Sequence, residues 1–280
     1  MPTADEIRTA QRATWAGLSA GWEKWDAVIM DQMAPVSAAI VDGLAVSDGQ
    51  RVLDIASGTG EPGLTIAAAN PQATVVLTDL SAEMLAVAQR RADARGIANI
   101  ATQVCSADDL PFADESFDAV SLRFGYMFFP DMARATAEFV RVLKPGGRLA
   151  ASVWVNPADN PWTSILMQAI GAEVELPPPD PNGPNMYCCA GDGFVSALFR
   201  DAGLHDVAET DVAVDLVTRS ADEYWDVMSE HVSLAVAALA KADAASRARM
   251  RANAIAAVAP YARDGGVHVP GAARCVVGTK

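Results

Sequence analysis

Basic charge is what this sequence has least of. Lys and Arg number 21 against 35 Asp and Glu, a formal net charge of −14. The densest basic stretch, Arg247, Arg249 and Arg251, has an alternate spacing that spreads its charge around a helix. An acidic surface of this kind repels phosphate backbones and anionic membranes, which disfavours nucleic acid as a partner. Histidine and cysteine are also scarce: His205, His231 and His268, with Cys105, Cys188, Cys189 and Cys275. The adjacent Cys188 and Cys189 lack a second pair at ligand spacing, so no metal is expected, and reduced buried thiols are the plain reading. No apolar run approaches the length of a membrane span. The first residues show no basic segment leading into an apolar one. A cytoplasmic location without a membrane span is therefore expected, and a homodimer is left open.

What is present reads as an α/β protein. Hydrophobic residues make up 51% of the 280, enough for a sizeable core without disulfides or metals. Residues 4–45 carry Trp15, Trp22, Trp25, Ile29 and Met33 at helical spacings, with Gly21 and Pro35 as expected breaks. Short apolar strands then alternate with helices. Strands are predicted over 51–56, 73–78, 100–105, 117–122 and 148–155. Helices are predicted over 62–70, 81–95 and 132–143, with Ser81 as an N-cap and Gly96 as a stop. This alternation predicts a doubly wound, mostly parallel sheet covered on both faces. Further on come a helix over 162–175, a proline-rich loop over 177–184 and a helix over 193–202. A strand over 205–217, an alanine-rich helical stretch over 221–260 broken near Lys241 or Ala242, and a closing strand over 267–277 complete the pattern. One domain is expected: a helical cap (1–45), a cofactor-binding core (46–160) and a substrate-side half (161–280) with a helical lid at about 219–262.

The chemistry is concentrated in Val52-Leu53-Asp54-Ile55-Ala56-Ser57-Gly58-Thr59-Gly60-Glu61-Pro62-Gly63. Glycines let a strand turn sharply into a helix and bring bare backbone against a ligand. Gly58, Gly60 and Gly63 fit a dinucleotide fingerprint, and Asp79, 19 residues after Gly60, can accept hydrogen bonds from ribose hydroxyls. Both features suit either a nicotinamide cofactor or S-adenosylmethionine. Asp54 separates the two readings. A pyrophosphate gains nothing from an acid so close to its turn, whereas the ammonium and sulfonium of S-adenosylmethionine do. The plain alternative for Asp54 is an acid capping the turn.

Five stretches in order resemble the class I S-adenosylmethionine-dependent methyltransferases, especially the ubiquinone/menaquinone C-methyltransferase-like group. They are 52–60, Leu77-Thr78-Asp79-Leu80-Ser81-Ala82-Glu83-Met84-Leu85, Ala107-Asp108-Asp109-Leu110-Pro111-Phe112, Phe117-Asp118-Ala119-Val120 and Arg141-Val142-Leu143-Lys144-Pro145-Gly146-Gly147. The resemblance covers about residues 45–155. It implies a seven-stranded Rossmann-like sheet whose last strand is antiparallel. It also implies S-adenosylmethionine as cofactor, with S-adenosylhomocysteine as product. Asp54, Ala56, Gly58, Thr59 and Gly60 would hold the methionine end, and Asp79 the ribose, with Leu80 and Met84 near the adenine. Met84 is equally a core methionine. Ser106 stands where the family usually has an acid, followed by Ala107, so either Ser106 or Asp108 would meet the adenine amine. Arg123 would approach the cofactor or pair with a neighbouring acid.

Phe124-Gly125-Tyr126-Met127-Phe128-Phe129-Pro130 follows the fourth strand, a position that faces the transferring methyl in the family. Tyr126, Met127 and Phe128, with Trp22 and Trp25, are the expected acceptor-binding residues, and they imply a small apolar or aromatic acceptor, quinone-like or a secondary metabolite. Plain packing of the added helices is the alternative for each tryptophan. His231, the one histidine in the expected lid, is the only candidate for a base, although a lone histidine is more often a surface residue. Asp222, Glu223 and Glu230 are expected to form a solvated face. Three functions stand: methyl transfer to such an acceptor, a cofactor-binding fold that cyclises or transfers no methyl, and nicotinamide-dependent oxidoreduction. The absence of a second mononucleotide-binding half counts against the last. No Asn/Asp-Pro-Pro-Tyr/Phe segment of the amino-methylating nucleic-acid enzymes is present.

Overall fold

A computed structural model describes residues 2–176 and 183–280. Most of the expected proline-rich loop at 177–184 lies outside the described residues. Among the described residues, seven strands form one sheet in the order β3-β2-β1-β4-β5-β10-β6. β1 (Arg51–Ile55), β2 (Thr74–Asp79), β3 (Ile100–Val104), β4 (Phe117–Arg123) and β5 (Leu143–Trp154) are parallel. β6 (His205–Ala213) and β10 (Ala272–Thr279) complete the sheet, with β10 antiparallel to both β5 and β6. Inner strands buried on both faces read as nearly continuous apolar runs, as Val52–Ile55 and Ala119–Leu122 do.

Helices cover both faces. α1 (Ala4–Lys24) and α2 (Asp26–Leu44) precede the sheet, and α3 (Gly63–Ala69), α4 (Ala82–Ala94) and α5 (Met132–Val142) connect its strands. α6 (Pro161–Gly171) and α7 (Phe194–Asp201) follow β5. Val277 and Gly278 show the two layers. A Cβ on Gly43 of α2 would meet Val277, and one on Gly278 would meet Phe199 of α7. Successive strand residues point to opposite faces, so α2 and α7 lie on opposite sides of β10.

Several predicted boundaries shift for physical reasons. The N-terminal break falls at Trp25, not at Gly21 or Pro35. Gly21 stays helical because it lets Glu230 approach: a Cβ there would stand 2.2 Å from the Glu230 carbonyl oxygen. Pro35 sits inside α2 on its exposed side, above the equally exposed Asp31, so water can satisfy the carbonyl it leaves unbonded. α2 also departs from the expectation that nothing is long and apolar enough to span a membrane. Its 19 residues reach a mean hydropathy of 1.3. Ile29, Met33, Val36, Ile40 and Leu44 form its buried stripe against the sheet, which makes it a core helix by packing.

The strand expected over 205–217 divides into β6 and β7 (Leu216–Thr218), and the one expected over 267–277 into β9 (Gly266–Val269) and β10. Pro270 lacks a donor for the ladder, and Gly271 lies so close to Val214 that a Cβ would be 2.7 Å from its carbonyl oxygen. β7, β9 and β8 (Ala262–Arg263) form a separate antiparallel sheet. It carries α8 (Ala221–His231), α9 (Ser233–Lys241) and α10 (Ala244–Val258), which break at Val232 as well as near Lys241. Asn160 ties this half to the core. Its amide donates to the carbonyls of Asn156 and Ala272, and its oxygen accepts from Trp162 Nε1 and the Ala272 N–H.

Candidate active site

A cavity of about 480 Å³ opens over the carboxyl ends of β1, β2, β3, β4 and β5, roofed by α1, α8 and α9. Ligands in open α/β sheets gather at this edge, where the strand order reverses. Two residues without the freedom of glycine hold left-handed backbone there: Ala56 (φ 48°) at the tip of β1 and Phe124 (φ 58°) after β4. Such conformations persist where the surroundings over-determine them. Phe124 is held by its N–H, which donates to the Ser152 carbonyl, and by its ring, stacked on Trp154 at 4.1 Å.

One side of the cavity is the glycine turn. Ala56, Ser57, Gly58 and Thr59 line it, as do Thr78, Asp79, Leu80 and Met84. A Cβ on Gly58 would meet nothing within 4 Å, so bare backbone faces open space. The Asp79 carboxylate accepts from the Gly58 N–H and the Ser81 N–H, both at 2.9 Å. Burial pushes its pKa upward, and these hydrogen bonds oppose the rise. Ser57 Oγ is fully enclosed without a hydrogen-bond partner, and so is Trp22 Nε1. Buried polar atoms are rarely left so. Both residues line the cavity, and an orphaned hydroxyl beside the glycine turn is one that an amino-acid moiety satisfies, so the residues present fit the methionine end of S-adenosylmethionine.

Several expected site residues are elsewhere. Asp54 is 0% exposed and does not reach the cavity. Its oxygens accept from the Gly63 N–H at 2.9 Å and from Ser121 Oγ at 2.6 Å, which fastens the start of α3 to β4. The plain reading, an acid capping the turn, describes its contacts. Gly60 is a packing glycine, its Cβ position filled by Leu64 and Ala88. Asp108 is buried beneath Arg8 of α1 and accepts from Arg8 and Ser106, whereas Ser106 and Ala107 line the cavity. Burial acts to raise the Asp108 carboxyl, but the bonds from Arg8 and Ser106 outweigh it and hold the group low.

Arg123 lines the cavity and, among the described residues, has no carboxylate in ion-pair contact. Nη1 donates to Ser37 Oγ at 3.0 Å, and Nη2 faces the Met30 sulfur. Burial lowers its pKa to about 10 against the attraction of Glu61 and Asp54. The alternative of a neighbouring acid in direct contact is not realised.

The other side of the cavity is aromatic. Phe124 stacks on Trp154, and Trp162 packs against Trp154 at a tilt of 60° with the ring centres 4.9 Å apart. Trp15 meets Phe128 edge-on at 5.0 Å, and Trp22 meets His231 edge-on at 5.9 Å. Of the five expected acceptor-side residues, Trp22 and Phe128 line the cavity. Tyr126 and Met127 are fully buried away from it: the Tyr126 hydroxyl bonds Thr136, and a 3₁₀ turn over Tyr126–Phe128 aims both side chains into the core. Trp25 points outward to Glu230, which its Nε1 reaches at 2.9 Å. His231 is no surface residue. It is 6% exposed and lines the cavity beside Leu234 and Ala237. Of the three acids expected on a solvated face, Asp222 and Glu230 keep exposed side chains, Glu230 in a surface ion pair with Lys24, whereas Glu223 is buried against Arg219.

Sequence reasoning missed Arg8, Gln11 and Thr14 of α1, and it missed Trp154 and Trp162. Among the lining residues of α1, only Trp15 and Trp22 carried a signal, as part of the aromatic stripe. Arg12 of the same helix donates to the Leu80 carbonyl at 3.2 Å, which lays α1 across the turn after β2.

The buried Asp54 makes stability depend on pH. Burial lifts its pKa to about 7, with Ser121 and Gly63 opposing. The folded state therefore holds this proton more tightly than the unfolded chain, whose aspartate titrates near pH ~4. Stability falls as pH rises from about 4 and levels off above about 7, a loss on the order of 4 kcal/mol. Asp54→Asn, whose amide can donate to Ser121 and accept from Gly63, should remove that slope. In cofactor-free protein it should melt above wild type at pH ~8 and converge with it near pH ~4. Parallel slopes in thermal melts across this range would refute the assignment.

Residues 52–147 match a family described as a methyltransferase domain. An uncharacterized protein of Mycobacterium tuberculosis is 35% identical over 198 residues, 69% of this chain and 71% of that protein. A demethylmenaquinone methyltransferase of Thermus thermophilus is 45% identical over 100 residues, which span 36% of this chain and 45% of the enzyme. Among solved structures, the [4+2]-cyclase SpnF superposes over 100% of this chain and 97% of its own with a TM-score of 0.57. At 18% identity, that likeness concerns the fold alone.

Proposed function

Because the chain belongs to the class I S-adenosylmethionine-dependent methyltransferases, we propose that it transfers a methyl group to a small apolar or aromatic acceptor. One observation supports the acceptor class above others: an aromatic wall of Phe124, Trp154 and Trp162 shares a single cavity with the glycine turn. Flat apolar walls of this kind favour flat apolar ligands and exclude water. Bound S-adenosylmethionine supplies the activated methyl. The chain supplies the rest: Asp79 to orient the ribose, Ser57 and Arg123 for the polar methionine end, Ser106 and Ala107 beside the base. Alignment of the reacting atoms is worth much of the rate in such a transfer. The nicotinamide reading of the three glycines loses its basis in the family membership.

The test is incubation with methyl-labelled cofactor and a panel of quinones, phenols, aliphatic alcohols, amines and nucleotides. Labelled product is expected from the apolar and aromatic members. Transfer only to charged, polar acceptors would overturn the acceptor class. Tight cofactor binding without transfer to any member would favour the rival reading, a cyclase or non-transferring relative of the fold.

A further inference from the structure

His231 is the last residue of α8, and the chain turns at Val232 before α9 begins. That break directs the imidazole, Val232 and Ser233 at the cavity. Nδ1 lies 2.7 Å from the Val227 carbonyl oxygen. A carbonyl can only accept, so Nδ1 carries the hydrogen, and in the neutral ring Nε2 is left with a bare lone pair. Burial disfavours the charged ring and lowers its pKa, partly offset by the bond to Val227. The Trp22 ring, edge-on, fixes the plane of the imidazole. Among the described residues, Nε2 has no protein partner, yet it is not one of the enclosed orphan atoms, which are Trp22 Nε1, Asp26 Oδ1 and Ser57 Oγ. It therefore keeps open surface, and the space this ring borders is the cavity.

We propose that His231 Nε2 takes the proton of the methyl acceptor, and that the acceptor group is a phenolic or enolic hydroxyl. This rests on the methyl-transfer reading above and narrows it. Neutral imidazole is a base matched to hydroxyls whose acidity lies within a few units of its own. An amine already in its neutral form attacks through its lone pair and sheds its proton only afterwards, and an unactivated carbon needs a stronger base. The aromatic wall suits a ring or conjugated system bearing the hydroxyl. As the oxygen attacks, the O–H bond breaks, its electron pair stays on oxygen and the proton passes to Nε2. The oxygen forms its bond to the methyl carbon, and the carbon–sulfur pair returns to sulfur. A methyl ether, a thioether and an imidazolium result, and the imidazolium returns its proton to water.

The chain has only three histidines, so ¹⁵N-histidine labelling can observe His231 directly in the unaltered protein. The expected spectrum has one neutral histidine protonated on Nδ1, whose Nε2 resonance moves when 4-nitrophenol is added. The opposite tautomer, or a resonance indifferent to 4-nitrophenol, overturns the proposal. Kinetics give the second reading. His231→Phe keeps a ring against Trp22 and should lower kcat about 10²–10³-fold for phenols that are neutral at the assay pH. For nitrophenols already ionised at that pH it should lose no more than a few-fold. An equal loss for both classes marks a structural role and overturns the proposal. Labelled amines or carbon acceptors with unreactive phenols would also overturn it while leaving the methyl-transfer reading intact. Failure of every acceptor in the wild-type panel would instead count against that broader reading, and with it this one.

Discussion

Asp79→Ala should weaken S-adenosylmethionine binding at least ~100-fold and also lower the melting temperature of the cofactor-free protein. The binding loss follows from the ribose hydroxyls, whose hydrogen bonds to a carboxylate contribute about 1.5–3 kcal/mol each. The stability loss has a separate source. Asp79 accepts from the N–H groups of Gly58 and Ser81, and each buried donor left bare costs about 1–3 kcal/mol. Asp79→Asn separates the two effects. It keeps the volume and one acceptor oxygen, so it should recover part of the stability while binding stays weak. Titration calorimetry with S-adenosylhomocysteine, paired with thermal melts, reads both. An alanine variant that binds with wild-type affinity would remove Asp79 from the cofactor site.

Gly58→Ala and Gly60→Ala should fail in different ways although they lie two residues apart. Gly58 (φ 54°) has open space where a Cβ would go. An alanine there adopts a tolerable left-handed conformation at a cost of about 1 kcal/mol. The protein should fold, but its methyl would stand where the ligand approaches and weaken cofactor binding more than ~10-fold, about 1.4 kcal/mol. Gly60 has φ 108°, outside the region an L-residue readily adopts, and its Cβ would stand 2.7 Å from Leu64 Cδ1 and 3.1 Å from Ala88. Strain and overpacking together should cost about 2–4 kcal/mol of folding free energy. Urea unfolding of both variants, with calorimetry on whatever remains folded, tests the division. Equal stability losses at the two positions would show that the glycines do not divide these jobs.

The glycine-turn side of the cavity was legible because its parts are local. A strand, a glycine turn, the next helix and the acid ending the next strand lie within residues 51–85, and backbone geometry alone brings Gly58 and Asp79 together. Asp54 was the misreading there. Its spacing to the turn is clear in the sequence, but whether its carboxylate faces the ligand or Gly63 and Ser121 depends on how α3 docks on β4. Ser106 and Asp108 divide the same way: only the ion pair with Arg8, 100 residues earlier, shows that Asp108 is engaged and Ser106 faces the cavity.

The sequence by itself determined the parallel core, the glycine turn and the family, since short-range periodicity and contiguous motifs carry all three. The tertiary structure decided the acceptor half. Its aromatic wall joins Phe124, Trp154 and Trp162 from three separate elements, and a 3₁₀ turn turns Phe128 toward the cavity and Tyr126 and Met127 away. His231 was already the one candidate base in the sequence, but the Val227 carbonyl and the Trp22 ring fix its tautomer and direction only in the fold. The aromatic wall and the Trp22–His231 contact join residues far apart in the chain, made when the helices close over the ends of the strands, so no contiguous motif encodes them.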